Sequence, residues 1–408
     1  LNLIIFGFCL LVPVFMTVTL KAILHLPSAV LTLAGRMSLR NLQYGINRSG
    51  LAVAALTVAV SVTVGVGVMV GSFRQTVILW LDQTLSGDVQ ISRLDDGPGL
   101  PEALIQRIVS TAGVSGWLLG YSTPTDTPFG PVRIMAFDGS QDPPLYMKAA
   151  QPDATQAFNA GAAVYVAEPF AWLHNLALGD TLAFAGPEGE QSTRIAGIFY
   201  DYTTGPGLMV MAPAAYTRLW PGQPPSRLTL SLGDPADTAA MVRTLRSLTD
   251  GESGTIGVAG NADIRTITLA IFDRTFAITR VLRMLAILVA FVGVLSALIA
   301  LQLQRMREYA VLRATGMTVG DIISMIAIQT LVMGLYAGVL AIPLGLLMSQ
   351  VLIDVINVRS FGWSMQHVLP AGVLVQALIL AVGAAALAAL APMRAVARVQ
   401  PALALRGE

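Results

Sequence analysis

Apolar positions in this chain come in long unbroken runs, separated in the middle by about two hundred residues in which polar and apolar positions alternate. Runs of roughly 18 or more apolar residues with few charges read as membrane-spanning helices. Five qualify: residues 1–20, 51–72, 281–303, 319–353 and 370–392. The run 319–353 would cover about 50 Å as a straight helix, against a hydrocarbon core of about 30 Å. Pro343, two residues before Gly345, is expected to kink it.

Outside these runs the periodicity changes. After Pro27 and Ser28, apolar Val30, Leu31, Ala34, Met37 and Leu42 with basic Arg36 and Arg40 fit an amphipathic helix on a membrane face, within a linker of residues 21–50. A plain linker fits the composition equally well. Phe73, Val77, Trp80 and Leu81 share one helical face, as do Ile264, Ile267, Ile271, Phe272, Phe276 and Ile278. Two amphipathic extensions, the second about 25 Å long, are therefore expected to lift an outer domain off the bilayer as a stalk, all within 73–280. Between them, Asp88–Ser92, Arg227–Leu232 and Gly254–Val258 read as strands, and Pro101–Val109 and Asp237–Leu248 as helices. Two such strand–helix units predict a split βαβ sheet of ferredoxin-like type. Residues 163–211, rich in short strands and glycine turns, are expected to form an inserted β subdomain. The fold class is thus an α-helical integral membrane protein with a large α+β extracytoplasmic domain on a helical stalk.

Composition supports the class. Mean hydropathy is +0.68 and only 12% of the 408 residues are charged, about half the share in soluble domains. The net charge of +1 conceals an asymmetry. Residues 74–274 carry 12 Lys and Arg against 20 Asp and Glu, and the remainder 13 against 4. Basic residues mark cytoplasmic segments. Lys21, Arg36, Arg40 and Arg48 place 21–50 inside, Arg305, Arg307 and Arg313 place 304–318 inside, and Arg394, Arg398 and Arg406 do the same for the tail 393–408. The acidic domain and the loop 354–369 then lie outside, and five spans alternate consistently. The first span has no basic leader, so it reads as a span continued from a longer protein, and not as a signal peptide. Cys9 is the only cysteine and lies in that span, and His25, His174 and His367 fall in three different compartments, so no disulfide and no metal site is expected.

The polar turn 304–318 carries the densest signal. Arg305 and Glu308 are three apart on one helix face, Gly316 stands where a helix C-cap takes a left-handed residue, and Thr318 with Asp321 fits a capping box. The predicted product is a rigid helical hairpin presenting Tyr309, Leu312 and Arg313 to a partner. An ordinary capped hairpin whose arginines only fix topology fits the same residues. Gly67 with Gly71, and Gly334 with Gly338, are small-residue pairs at the spacing of close helix packing.

The string Arg305-x-x-Glu308-Tyr309-Ala310-Val311-Leu312-Arg313-Ala314-Thr315-Gly316 resembles the signature of FtsX-like permeases, the membrane subunits of MacB-type ABC transporters. Arg36-x-Ser38-Leu39-Arg40-Asn41-Leu42 resembles that family's inner-surface helix, and Pro392-x-Arg394, Arg398, Pro401 and Leu405-Arg406 its C-terminal tail. The likeness covers residues 36–408, and the extra leading span suggests the C-terminal half of a two-repeat permease with an upstream FtsX-like half. It implies a permease in the bacterial cytoplasmic (inner) membrane that transmits the motion of a separate ABC-type ATPase, two copies per transporter, to the outer domain, in the periplasm or extracellular space. The work would be export or extraction of a hydrophobic or lipid-like substrate or a peptide. Arg305, Arg307, Glu308, Tyr309, Leu312, Arg313 and Gly316 would meet the ATPase. ATP would bind the partner subunit, and no cofactor is expected in this chain, which lacks a Gly-x-x-x-x-Gly-Lys-Ser/Thr loop. The apolar centres of the spans hold Thr57, Ser61, Thr63, Ser296, Gln329 and Gln376 but no ionisable group, which disfavours an ion-coupled carrier. Partners besides the bilayer include an extracytoplasmic protein but no nucleic acid. Two alternatives remain: a regulatory permease that activates a cell-wall hydrolase or senses an antimicrobial peptide, and a membrane-anchored enzyme. For the enzyme, the outer domain offers His174 near Glu168 and Asp180, without a Gly-x-Ser-x-Gly motif.

Overall fold

The structure, a computed structural model, describes residues 1–398 apart from 26–32, 96, 98, 142, 144, 204, 206, 235, 236, 250–255 and 305, and leaves out many side chains between 272 and 310. The chain divides into a helical unit, Leu1–Phe73, Thr275–Ile356 and Gln366–Glu408, and a second unit, Arg74–Arg274 with Asn357–Met365.

Three helices open the chain: α1 (Asn2–Leu24), α2 (Leu33–Tyr44) and α3 (Ile46–Thr84). Helix α2 is the anticipated amphipathic segment, although Pro27, Ser28, Val30 and Leu31 lie outside the described residues. The 39 residues of α3 contain no proline, so the predicted span and its extension form one helix.

The second unit then begins with β1 (Val89–Arg93), α4 (Glu102–Val109), β2 (Val114–Thr127), β3 (Gly130–Gly139), β4 (Met147–Ala150), α5 (Ala154–Asn159), β5 (Ala163–Ala167) and α6 (Glu168–Leu173). It continues through β6 (Thr181–Gly186), β7 (Gly189–Phe199), β8 (Gly207–Val210), α7 (Pro213–Leu219), β9 (Arg227–Leu232), α8 (Thr238–Thr249) and β10 (Ile256–Gly260). Strands β10-β1-β9-β2 are antiparallel neighbours. Numbered within the two βαβ units, that order is 4-1-3-2, the split βαβ arrangement expected from the sequence. Leu104, Ile105 and Ile108 of α4 and Met241, Val242 and Leu245 of α8 bury against Val89, Ile91, Leu228 and Leu230 of the sheet. All four strands alternate or run apolar because one face carries these helices.

The inserted part differs from expectation. It starts at β3, well before residue 163, and it is not a separate sheet. Strand β2 has 14 residues and β9 only six. β2 pairs with β3 from Leu118 to Thr127, running on past its last β9 partner at Gly120, and β8, β5, β7, β4 and β6 follow outward. One mixed ten-stranded sheet results among the described residues. Long-range pairing of this kind leaves no local mark beyond strand length.

The chain then returns through α9 (Asn261–Gln304), α10 (Met306–Ala314) and α11 (Val319–Gln350), a π-helical turn (Val351–Asn357), α12 (Val358–Phe361) and α13 (Ala371–Arg398). Among the described residues four helical stretches are long and apolar enough to cross a membrane: Asn2–Leu24, Ser49–Thr84, Val319–Phe361 and Ala371–Arg394. The fifth predicted span, 281–303, is the later part of α9, where many side chains lie outside the described residues. Helix α11 does not end at residue 353. No glycine or proline follows Gly345 until Gly362, so the helix runs on through the π turn, and part of the expected loop 354–369 is helical. Pro343 lies inside α11.

The helical unit is packed by small residues. Ala337 and Ala341 of α11 meet Ala377, Ala381 and Ala388 of α13 in a core that also takes in Val12, Met16 and Leu20 of α1, Leu39 and Leu42 of α2, and Val53, Val60 and Val64 of α3. A Cβ on Gly334 would overlap Ala385 Cβ and lie 2.9 Å from the Ala381 carbonyl, and one on Gly338 would lie 3.1 Å from Ala381 Cβ. These glycines let α11 and α13 approach closely. For α3 the outcome differs. Gly67 is buried and Gly71 faces Pro370, but the tight crossing with α11 is made by Gly65 and Gly345. A Cβ on Gly345 would sit 2.5 Å from Val64 Cβ.

Candidate functional site

The turn between α9 and α11 is built from local rules. Helix α10 ends in a Schellman motif: Gly316, at φ +101°, donates to the Arg313 carbonyl at 3.2 Å and Met317 to the Leu312 carbonyl at 3.1 Å. Two residues later α11 starts from a complete capping box. The Asp321 N–H donates to Thr318 Oγ1 at 3.2 Å, and the Thr318 N–H donates to Asp321 Oδ2 at 3.3 Å. Both caps are those the sequence predicts, and every backbone N–H from Thr315 to Thr318, between the two helices, is hydrogen-bonded.

Burial sorts the predicted contact residues. Tyr309 is 4% exposed and packs with Ile322, Met325 and Ile326 of α11, flanked by Met37 of α2, Leu312, Met317 and Met393 of α13. Tyr309 is therefore not presented outward, contrary to the expectation from sequence. Its ring and Leu312, three residues on, form the apolar stripe by which the short helix grips α11. Arg313 and Leu312 are half-buried. Glu308, Val311, Ala314, Thr315 and Gly316 are exposed. Val311 and Thr315 thus join the outward surface, and they could have been found by counting helical spacing from Glu308. Arg305 and the side chain of Arg307 lie outside the described residues, as do the tail residues Pro401, Leu405 and Arg406. Helix α2 meets the same corner: Ser38 Oγ, fully buried, donates to the Met325 carbonyl at 3.2 Å.

In the α+β domain the residues of the enzymatic alternative each have partners of their own. His174 lies between Phe129 and Phe170, with ring centroids 4.9 and 4.8 Å away. Asp180 caps a turn by accepting from the Ala177 N–H at 2.7 Å. Glu168 is buried against Lys148. Among the described residues no group of three or more His, Cys, Asp or Glu is placed to hold a metal ion. Asp201, 7% exposed, accepts from both the N–H and the hydroxyl of Thr203, and burial raises its carboxyl above the usual aspartate range despite those bonds.

Architecture and turn define a helical membrane protein with an α+β extracytoplasmic domain. Residues 49–248 match the family model of the MacB-like periplasmic core domain, and residues 281–401 that of the FtsX-like permease C-terminal domain. The chain thus carries the two domains of the MacB/FtsX-type permeases, a MacB-like periplasmic core domain followed by an FtsX-like permease C-terminal domain. It is 33% identical over 386 residues to the uncharacterized ABC transporter permease protein Rv0987 of Mycobacterium tuberculosis (strain ATCC 25618 / H37Rv), covering 92% of this chain and 45% of that relative. The chain thus spans less than half the length of that curated relative. Similar solved structures include the periplasmic region of MacB from Actinobacillus actinomycetemcomitans, at 10% identity and TM-score 0.33 over 46% of this chain and 95% of that one. Another is the extracellular domain of the noncanonic ABC-type transporter YknZ from Gram-positive bacteria, at 11% identity and TM-score 0.31 over 42% and 100%.

Proposed function

We propose that this permease is a passive transmitter: an ABC-type ATPase on the cytoplasmic side pushes on the α10 turn, and the motion reaches the extracytoplasmic domain through the helices. The observation that carries this reading is the anchoring of α10 on α11 through buried Tyr309, with complete caps at the end of α10 and the start of α11. A force applied to Glu308, Val311 or Thr315 displaces α11, because the turn has no slack to absorb it. The orientation from basic residues supports the same sidedness, and the resemblance supports the inner membrane of a bacterium, a pair of ATPase subunits and an upstream permease half as the setting. The cargo is a hydrophobic or lipid-like molecule or a peptide.

The test is the double variant Glu308→Ala with Arg313→Ala, reconstituted with its ATPase. Stimulation of ATP hydrolysis by the permease should fall at least tenfold while the amount of inserted protein stays unchanged. Stimulation equal to wild type, at equal insertion, contradicts the proposal.

A further inference from the structure

Residues 357–365, the helical end that follows the π turn and the start of the connection to α13, belong to the second unit. The segment is closed on itself: Asn357 Nδ2 donates to the Trp363 carbonyl at 2.8 Å, and Gly362, left-handed at φ +78°, donates its N–H to the Val358 carbonyl at 2.9 Å. It is also held by the α+β domain. The Ser364 N–H donates to Glu168 Oε1 at 3.0 Å, and the Tyr202 hydroxyl donates to the Ser364 carbonyl at 3.0 Å. One residue of the segment is thus gripped at both its donor and its acceptor by two domain side chains. Trp363, 7% exposed, stacks on Phe361 at 5.3 Å and meets Tyr202 edge-on at 5.4 Å. The same Tyr202 ring contacts Trp80 of α3 at 5.8 Å. Gly362 lies against Pro169, so close that a Cβ would sit 3.2 Å from the Pro169 Cα and carbonyl oxygen.

Glu168 is what makes this more than loop packing. Its side chain is 4% exposed and its Oε1 takes both Lys148 Nζ and the Ser364 N–H. Among the described residues Oε2 has no hydrogen-bond partner. A buried carboxylate with few partners is costly, and each partner it has matters correspondingly. The segment supplies one of the two, so its docking and the tolerance of the buried carboxylate at the start of α6 depend on each other.

We propose that residues 357–365 are a docked strap, held by Glu168 and Tyr202, that makes the connection between α11 and α13 a third route of transmission to the domain beside α3 and α9. This extends the transmission reading above and rests on it for the functional half. The docking half stands without any ATPase. Hydrogen exchange of the full chain in lipid nanodiscs reads it directly. In the wild type, amides of 357–365 should exchange at least tenfold slower than free chain, and Glu168→Ala should remove most of that protection while β1 stays protected. Free-chain exchange in the wild type, or unchanged protection in Glu168→Ala, overturns the strap. If β1 also loses protection in that variant, Tyr202→Phe decides. It deletes only the hydroxyl and should still speed exchange in the strap about threefold, and no change overturns the proposal. With docking established, Tyr202→Phe should lower ATPase stimulation in the reconstituted complex at least threefold. Full stimulation with an undocked strap overturns the third route alone. A wild type that shows no stimulation removes the transmission reading, and with it the third route, while the docking result stands.

Discussion

Tyr309 shows what a single residue decides at this site. Read by its place in a charged turn it belongs outside, yet helical spacing with Leu312 puts it under α11. At the same scale Asp201 gives a sharp pH prediction. Its carboxyl is raised by burial, so the folded state takes a proton more readily than the unfolded chain. The folded state is therefore penalised above the raised value, and the penalty disappears as pH falls below the ordinary aspartate range. Asp201→Asn, which keeps an acceptor for the Thr203 N–H, should raise the domain's melting temperature at pH 8 by a few degrees. The gain should shrink toward zero near pH 4 when melting is followed by circular dichroism. A gain that grows on acidification would contradict the assignment.

At the scale of elements, the caps and the Gly334–Gly338 pair were legible in the sequence, because each is a short-range rule. Gly316, Thr318 and Asp321 are read within seven residues, and the structure completes both caps as expected. Three of the four strands of the split βαβ units and both helices were legible for the same reason, with ends displaced by a residue or two, but β2 was not. The joining of β2 to β3 was not, nor the run of α11 to Phe361, nor the strap. Each depends on partners tens to hundreds of residues away. The choice of Gly67 and Gly71 illustrates the limit: spacing finds glycine pairs, but only the facing helix shows that Gly65 meets Gly345. Gly345→Ala should therefore cost about 1–3 kcal/mol through overpacking against Val64, read as reduced thermal stability of the solubilised protein. Gly383→Ala in α13 has open space around its Cβ. It should be neutral or stabilise by up to about 1 kcal/mol through helix propensity. Equal effects from the two would refute the packing account.

At the scale of the whole molecule, charge does the work that motifs do elsewhere. An acidic block of some two hundred residues between basic flanks predicts, by the positive-inside rule, which segments share a side of the membrane. The family-model matches agree, since the periplasmic-core match covers residues 49–248 and the permease match begins at 281. The transmission proposed above requires the turn 304–318 and the α+β domain to lie on opposite faces of the bilayer. With Cys9 replaced by serine, single cysteines at exposed Thr315 and exposed Leu173 should react differently with a membrane-impermeant thiol reagent applied to intact cells after the outer barrier is opened. Leu173→Cys should label at once and Thr315→Cys only after the bilayer is permeabilised. Labelling of both from the same side would contradict the central claim.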